Sequence, residues 1–164
     1  MEISKVDKNS IKIKGKSASI LINPVGKQEA DIIIATAAPE TLDISKVTGV
    51  RLIISGPGEY EAGGISISVK KGKDGTAYTI IEGSRILFTT SAGLKNVSGD
   101  DEYDGVIIQV TSEFSDDLLD PINTKCAVLY GDLNLAKTKP EAENATKINL
   151  KKTSEIQGKT FLFV

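Results

Sequence analysis

Glycines packed as closely as those of "GPGEYE", residues 56–61, could cradle a phosphate. Such a site needs its glycines to open a helix whose N-terminus meets the anion. The next residues are "AGGISISV", in which Ile65, Ile67 and Val69 point one way and Ser66 and Ser68 the other, the pattern of a strand. The glycines are therefore read as permitting positive φ at a tight strand-to-strand corner, with Tyr60 covering the edge of the core. Cys126 opens the apolar run "CAVLY", which makes it a buried small hydrophobe rather than a nucleophile. The acids of "SGDDEYDG", Asp100, Asp101, Glu102 and Asp104, lack the alternating spacing of a calcium loop and read as a solvated turn. Lys12, Lys14 and Lys16, with Lys5 and Lys8 nearby, make a basic strip, read as a solvated face or a guard on an edge strand.

The chain of 164 residues contains no His. That removes the commonest general base, the commonest metal ligand and every Ser/His or Cys/His nucleophile pair. Any active site is left with carboxylates, Lys, Tyr or the lone thiol. A net charge of −2 removes the electrostatic reason to expect nucleic acid or an anionic membrane as partner. A single cysteine cannot form an intrachain disulfide, and no long apolar run or signal-peptide pattern opens the sequence, so a reducing cytoplasm is the expected location.

The elements that must position these groups are mostly strands. The length suits one domain over 1–164, and 40% hydrophobic residues with only 5% aromatic and no Trp imply a core of Ile, Val, Leu and Ala, which favours β structure. Ile11 and Ile13 alternate with Lys12 and Lys14 in a half-buried strand that forms a hairpin with "SASILIN", turning on Gly15-Lys16 and stopped by Asn23-Pro24. The continuous apolar run "ADIIIA", 30–35, predicts a strand covered on both faces. "RLIIS" and "ISISVK" bracket the glycine stretch, and further strands are expected at 76–82, 85–90, 105–111, 126–130, 147–150 and 160–164. Helix signals are few: Pro39 with Glu40 in "APETLDISKV", and Ser115 as a cap with Pro121 as a stop in "SEFSDDLLDPI". The polar segment 135–147 is expected to be a mobile loop.

Taken together, these residues resemble the metallo-β-lactamase superfamily, in particular its small metal-dependent hydrolases of short chain. That branch has an opening strand, a glycine-containing hairpin and a strand ending in Asp-Pro; here the sequence reads "VDKNSIKIKGKSASILINP". It then has an "ADI" strand, an H-x-H-x-D-H metal motif, a short helix, and "GPGEYE" before a "GVSI"-like strand; here the order is "ADIIIATAAPETLDISKV" and "GPGEYEAGGISI". The resemblance covers most of 1–132. It implies an α+β fold, two mixed β-sheets face to face, with the outer helices reduced in this strand-rich chain.

The departures fall where the resemblance places the metal. The metal motif corresponds to 36–43, "TAAPETLD", with Ala37 and Ala38 near the first ligands; the opening "GH" becomes Asp7-Lys8; the bridging Asp becomes Ser91; and the final His falls near Gly131. Zinc in this fold needs imidazoles and a carboxylate converging at one sheet edge. Glu40, Asp43 and Asp132 are the carboxylates left nearby. No catalytic, metal or cofactor residue is assigned, and the expected function is that of a non-catalytic, metal-free structural or interaction module. The alternative is a metallo-hydrolase-like enzyme with a relocated carboxylate site built on Glu40, Asp43 or Asp132 and a weakly held Mg²⁺ or Ca²⁺. With two short helical candidates for many apolar strands, sheet faces are expected to stand open and to favour a homodimer or a different protein partner.

Overall fold

The computed structural model describes residues 1–164, apart from the side chain of Thr153. Two sheets carry the architecture. In the smaller, six strands run in the order β13-β1-β2-β3-β4-β5, with β1 Glu2–Asp7, β2 Ser10–Lys14, β3 Ser19–Ile22, β4 Ile32–Ile34, β5 Leu52–Ile54 and β13 Lys147–Asn149. Pairing is antiparallel from β13 to β3 and parallel from β3 to β5. The larger sheet has eight strands in the order β12-β14-β11-β10-β9-β8-β7-β6: β6 Gly58–Ala62, β7 Ile65–Lys71, β8 Thr76–Ile81, β9 Arg85–Thr90, β10 Gly105–Val110, β11 Cys126–Gly131, β12 Glu143–Ala145 and β14 Lys159–Phe163. It is antiparallel from β6 to β9 and parallel from β9 to β12.

Period-two alternation fixes which side chains meet. Ile11, Ile13, Ile20, Ile22, Ile32 and Ile34 of the smaller sheet pack against Ile67, Val69, Ile80, Phe88, Val128 and Phe161 of the larger one, forming the central core. β4 is buried on both faces, as its unbroken apolar run predicts: Ile33 faces outward into a second small cluster with Leu21 and Val47.

The helical segments differ from the sequence reading. The segment after Pro39 forms two 3₁₀ turns, Pro39–Thr41 and Ile44–Lys46, and the one after Ser115 forms a 3₁₀ turn, Asp116–Leu119, in which Ser115 makes no side-chain cap. Among the described residues the sole α-helix is the four-residue Thr153–Ile156. No helix among the described residues is long and apolar enough to cross a membrane.

Missing helices do not leave the larger sheet bare, which corrects the expectation of open sheet faces there. The outer face of the larger sheet, Leu87, Val106, Ile108, Val110 and Leu129, is covered by Leu94, Tyr103, Phe114 and Ile122 from the connections. The segment 135–147, read as a loop, contributes β12 to the edge of that sheet.

"GPGEYE" turns out to be a corner that runs directly into an edge strand, β6, which the sequence reading did not separate from the turn. Gly58 has φ 149° beneath the Tyr60 ring, whose hydroxyl donates to the Gly56 carbonyl (3.1 Å). Gly63 and Gly64, φ 57° and 78°, form the two-residue β6–β7 hairpin loop.

Candidate functional site

Strands β3 and β4 end at the same end of the sandwich as β9, β10 and β11. The opposite end is tied together by the Glu82 carboxylate, just after β8, which accepts from the N–H groups of Lys16 and Ser17 in the β2–β3 turn (2.7 and 3.1 Å). The rim formed by the C-terminal ends of the parallel strands is where an open α/β sheet usually offers a site. It collects the β1–β2 turn, Asn23, the 36–43 segment, Ser91 and the Gly131-Asp132 pair.

Asn23, Thr36, Asp43 and Ser91 are engaged within the protein. Asn23, 5% exposed and at φ 49°, donates from Nδ2 to Thr36 Oγ1 (2.6 Å) and accepts from Thr36 N–H at Oδ1 (2.9 Å), stitching the end of β3 to the end of β4. Asp43 accepts from Gly26 N–H (2.8 Å) and pairs with Lys46 (2.7 Å). The Lys46 ammonium and the Gly26 N–H hold its carboxyl below the usual range, so it is an ionised structural clasp. Ser91 is 1% exposed, and its hydroxyl oxygen accepts from Thr111 N–H (3.2 Å) and Ser112 N–H (3.0 Å), locking the β9 end to the loop after β10.

Gly131 lies at φ 102°, and a Cβ there would sit 2.8 Å from the Val110 carbonyl oxygen. No imidazole fits on this backbone at the position where the resemblance places the last ligand. Asp132 accepts from Asn134 Nδ2 (3.2 Å), and Glu40 is exposed on its 3₁₀ turn. Glu40, Asp43 and Asp132 are not brought together: among the described residues no group of three or more His, Cys, Asp or Glu side chains could hold a metal ion. The donor set does not fit zinc, and the carboxylate alternative lacks a converging site.

Below the rim, Thr90, Gln109 and Tyr130 occupy one row on the inner face of β9, β10 and β11. Sequence reasoning missed this row because Gln109 and Tyr130 look like ordinary strand residues. Tyr130 is fully buried, with its ring 6.5 Å from that of Phe88, and its hydroxyl has no partner among the described residues. Burial, with Tyr78 adding to it, pushes its phenol well up, so it stays protonated.

At the opposite end, Cys126 is 2% exposed, and burial with the nearby Asp104 charge pushes its thiol up to about 12, which disfavours the thiolate. The acids near it do more than solvate a turn. Asp101 pairs with Arg85 (3.0 Å), and Asp104 pairs with Lys125 and accepts from Arg85 N–H (2.8 Å), clamping the start of β9.

No family model matches the chain, and no curated protein does. Among solved structures it is similar to a protein from Thermotoga maritima described as a Zn-dependent hydrolase of the metallo-β-lactamase superfamily, at 14% identity, with a TM-score of 0.71 and all of both chains covered. It is also similar to a diphosphatase of the PhnP family, at 10% identity and a TM-score of 0.50, over 97% of this chain and 84% of that one. At such identities the likeness speaks for architecture alone, and in architecture this chain has the α+β metallo-β-lactamase fold.

Proposed function

We propose that this chain is a non-catalytic, metal-free protein of metallo-β-lactamase fold that serves as a structural or interaction module. The observation that carries the reading is the state of the rim. Thr36, Asp43 and Ser91 are engaged by neighbouring backbone or side chains, and Gly131 has no room for a side chain. Such a rim holds the ends of strands together and presents no converging lone pairs to an ion. Purified protein, dialysed against metal-free buffer, is expected to carry no stoichiometric Zn, Fe or Mn by elemental analysis. Retention of about one equivalent of any of them would overturn the reading.

As a module it acts through a partner, and the partner proposed is a second copy. The surface that supports this is an edge rather than a sheet face. Among the described residues β5 is unpaired on one side, and its central Ile53 is 46% exposed. Light scattering coupled to gel filtration is expected to give twice the 17.4 kDa chain mass at micromolar concentration, and Ile53→Lys is expected to return it to 17.4 kDa. A wild-type mass that stays at the monomer value at every concentration rules the dimer out.

A further inference from the structure

A hollow of about 340 Å³ lies at the end of the smaller sheet opposite the rim, walled by Lys14, Lys16, Lys147 and Lys151, with Glu2 and Asn149 among its other residues. Strand register builds it. Glu2 of β1 stands opposite Lys14 of β2 on one side and Asn149 of β13 on the other, so these three side chains share the outer face in one row. Neighbouring strands are roughly 4.8 Å apart, which leaves the flanking side chains about 10 Å from each other. Lys16, in the turn after β2, and Lys151, just after β13, flank the ends of that row, and Lys147 comes from the next one.

Four lysine ammonium groups against one lining carboxylate give a local surplus of positive charge in a chain whose net charge is −2. Lys147 is paired with Glu2 (2.9 Å). Among the described residues, Lys14, Lys16 and Lys151 have no carboxylate within 4.0 Å. The nearby Glu82 carboxylate is engaged by the backbone N–H groups of Lys16 and Ser17. The adjoining groove of about 530 Å³ makes the contrast clear: its Lys152 and Lys159 are paired with Glu155 and Glu143. Chain folding thus leaves three uncompensated ammonium groups around one concavity.

We propose that this hollow binds a compact polyphosphate anion. Lysine ammonium groups attract phosphate as point charges, without the fork geometry that arginine uses to read shape. No arginine and no aromatic ring lines the hollow, so it offers neither bidentate selection nor a platform on which a base could stack. A bounded concavity of this size suits a short chain of phosphates better than an extended strand. The site lies at the far end of the sandwich from the rim and needs no metal, so it stands or falls independently of the module reading.

The experiment is calorimetric titration of the full chain with sodium triphosphate at low ionic strength, repeated as salt is raised. Saturable one-site binding that weakens with salt is expected. Lys14→Gln, Lys16→Gln and Lys151→Gln should each weaken it by about threefold, and the triple variant by about thirtyfold. The control triple, Lys70→Gln, Lys71→Gln and Lys73→Gln, removes the same charge from exposed positions elsewhere and should leave affinity unchanged. Thermal unfolding confirms that both triples fold. The proposal is overturned by absence of saturable binding, by equal weakening in the control, by orthophosphate binding as tightly as triphosphate, or by a single-stranded oligonucleotide displacing triphosphate at lower phosphate concentration.

Discussion

Gly131→Ala is expected to destabilise the protein by about 3 kcal/mol, the sum of left-handed strain on a non-glycine residue and of overpacking against a neighbouring strand. The smallest side chain is enough, because its Cβ would meet the Val110 carbonyl oxygen at 2.8 Å and the Val110 nitrogen at 3.2 Å, both backbone atoms held in the β10–β11 ladder. In a chain of this length that corresponds to a fall in Tm of about 10 °C. Gly131→His, which introduces an imidazole at the rim, should lose at least as much stability and gain no zinc affinity. Urea unfolding checks the first statement and zinc titration the second. A loss below about 1 kcal/mol for Gly131→Ala would mean that the β11 terminus yields easily and that the rim is not sterically closed.

Asn23→Ala is expected to cost a similar amount, about 3 kcal/mol, through different physics. Two hydrogen bonds to Thr36 disappear, at roughly 1 kcal/mol each, and alanine adds strain of about 1 kcal/mol at φ 49°. The two contributions separate experimentally. Asn23→Gly loses the same hydrogen bonds without the strain and should recover about 1 kcal/mol relative to alanine. Equal stability of the two variants would sink the strain argument, and wild-type stability for both would sink the stitching argument.

The fold was legible wherever residue alternation and burial agree. Ile11 and Ile13, Ile65, Ile67 and Val69, and the triple run Ile32 to Ile34 all lie in strands with the facing expected of them, and Cys126 is buried. Legibility failed where polar groups are drawn into tertiary bonds. Asp43 closes on Gly26 and Lys46 instead of supporting a helix after Pro39, and the Ser115 hydroxyl reaches the Asp117 carboxylate rather than capping a helix. β6 was hidden because an edge strand can carry Glu59 and Glu61 outward with no apolar signature. Counting helices also misjudged coverage, since Leu94, Phe114 and Ile122 reach the larger sheet from irregular connections. In the candidate site, the absence of imidazole was plain from composition. The closure of Gly131 and the burial of Tyr130 were not, because both depend on strands far apart in sequence.

The pairing of β13 with β1 joins Glu2 to Asn149 and Ser4 to Lys147. A ladder that closes over almost the whole chain cannot form early, because its loop entropy must be offset before any of its contacts stabilise the fold. During synthesis the β1–β2–β3 meander is complete long before its outer neighbour leaves the ribosome, so the edge of β1 stays bare while the first six strands of the larger sheet, β6 to β11, emerge. Main-chain groups of β1 are then an adhesive surface for other nascent chains, and the Lys-bearing row beside them supplies like-charge repulsion during that wait. Late closure is thus a property of the topology itself: the smaller sheet gains its outer strand only with residues 147–149, and the larger sheet is completed later still, when Lys159–Phe163 inserts between β11 and β12.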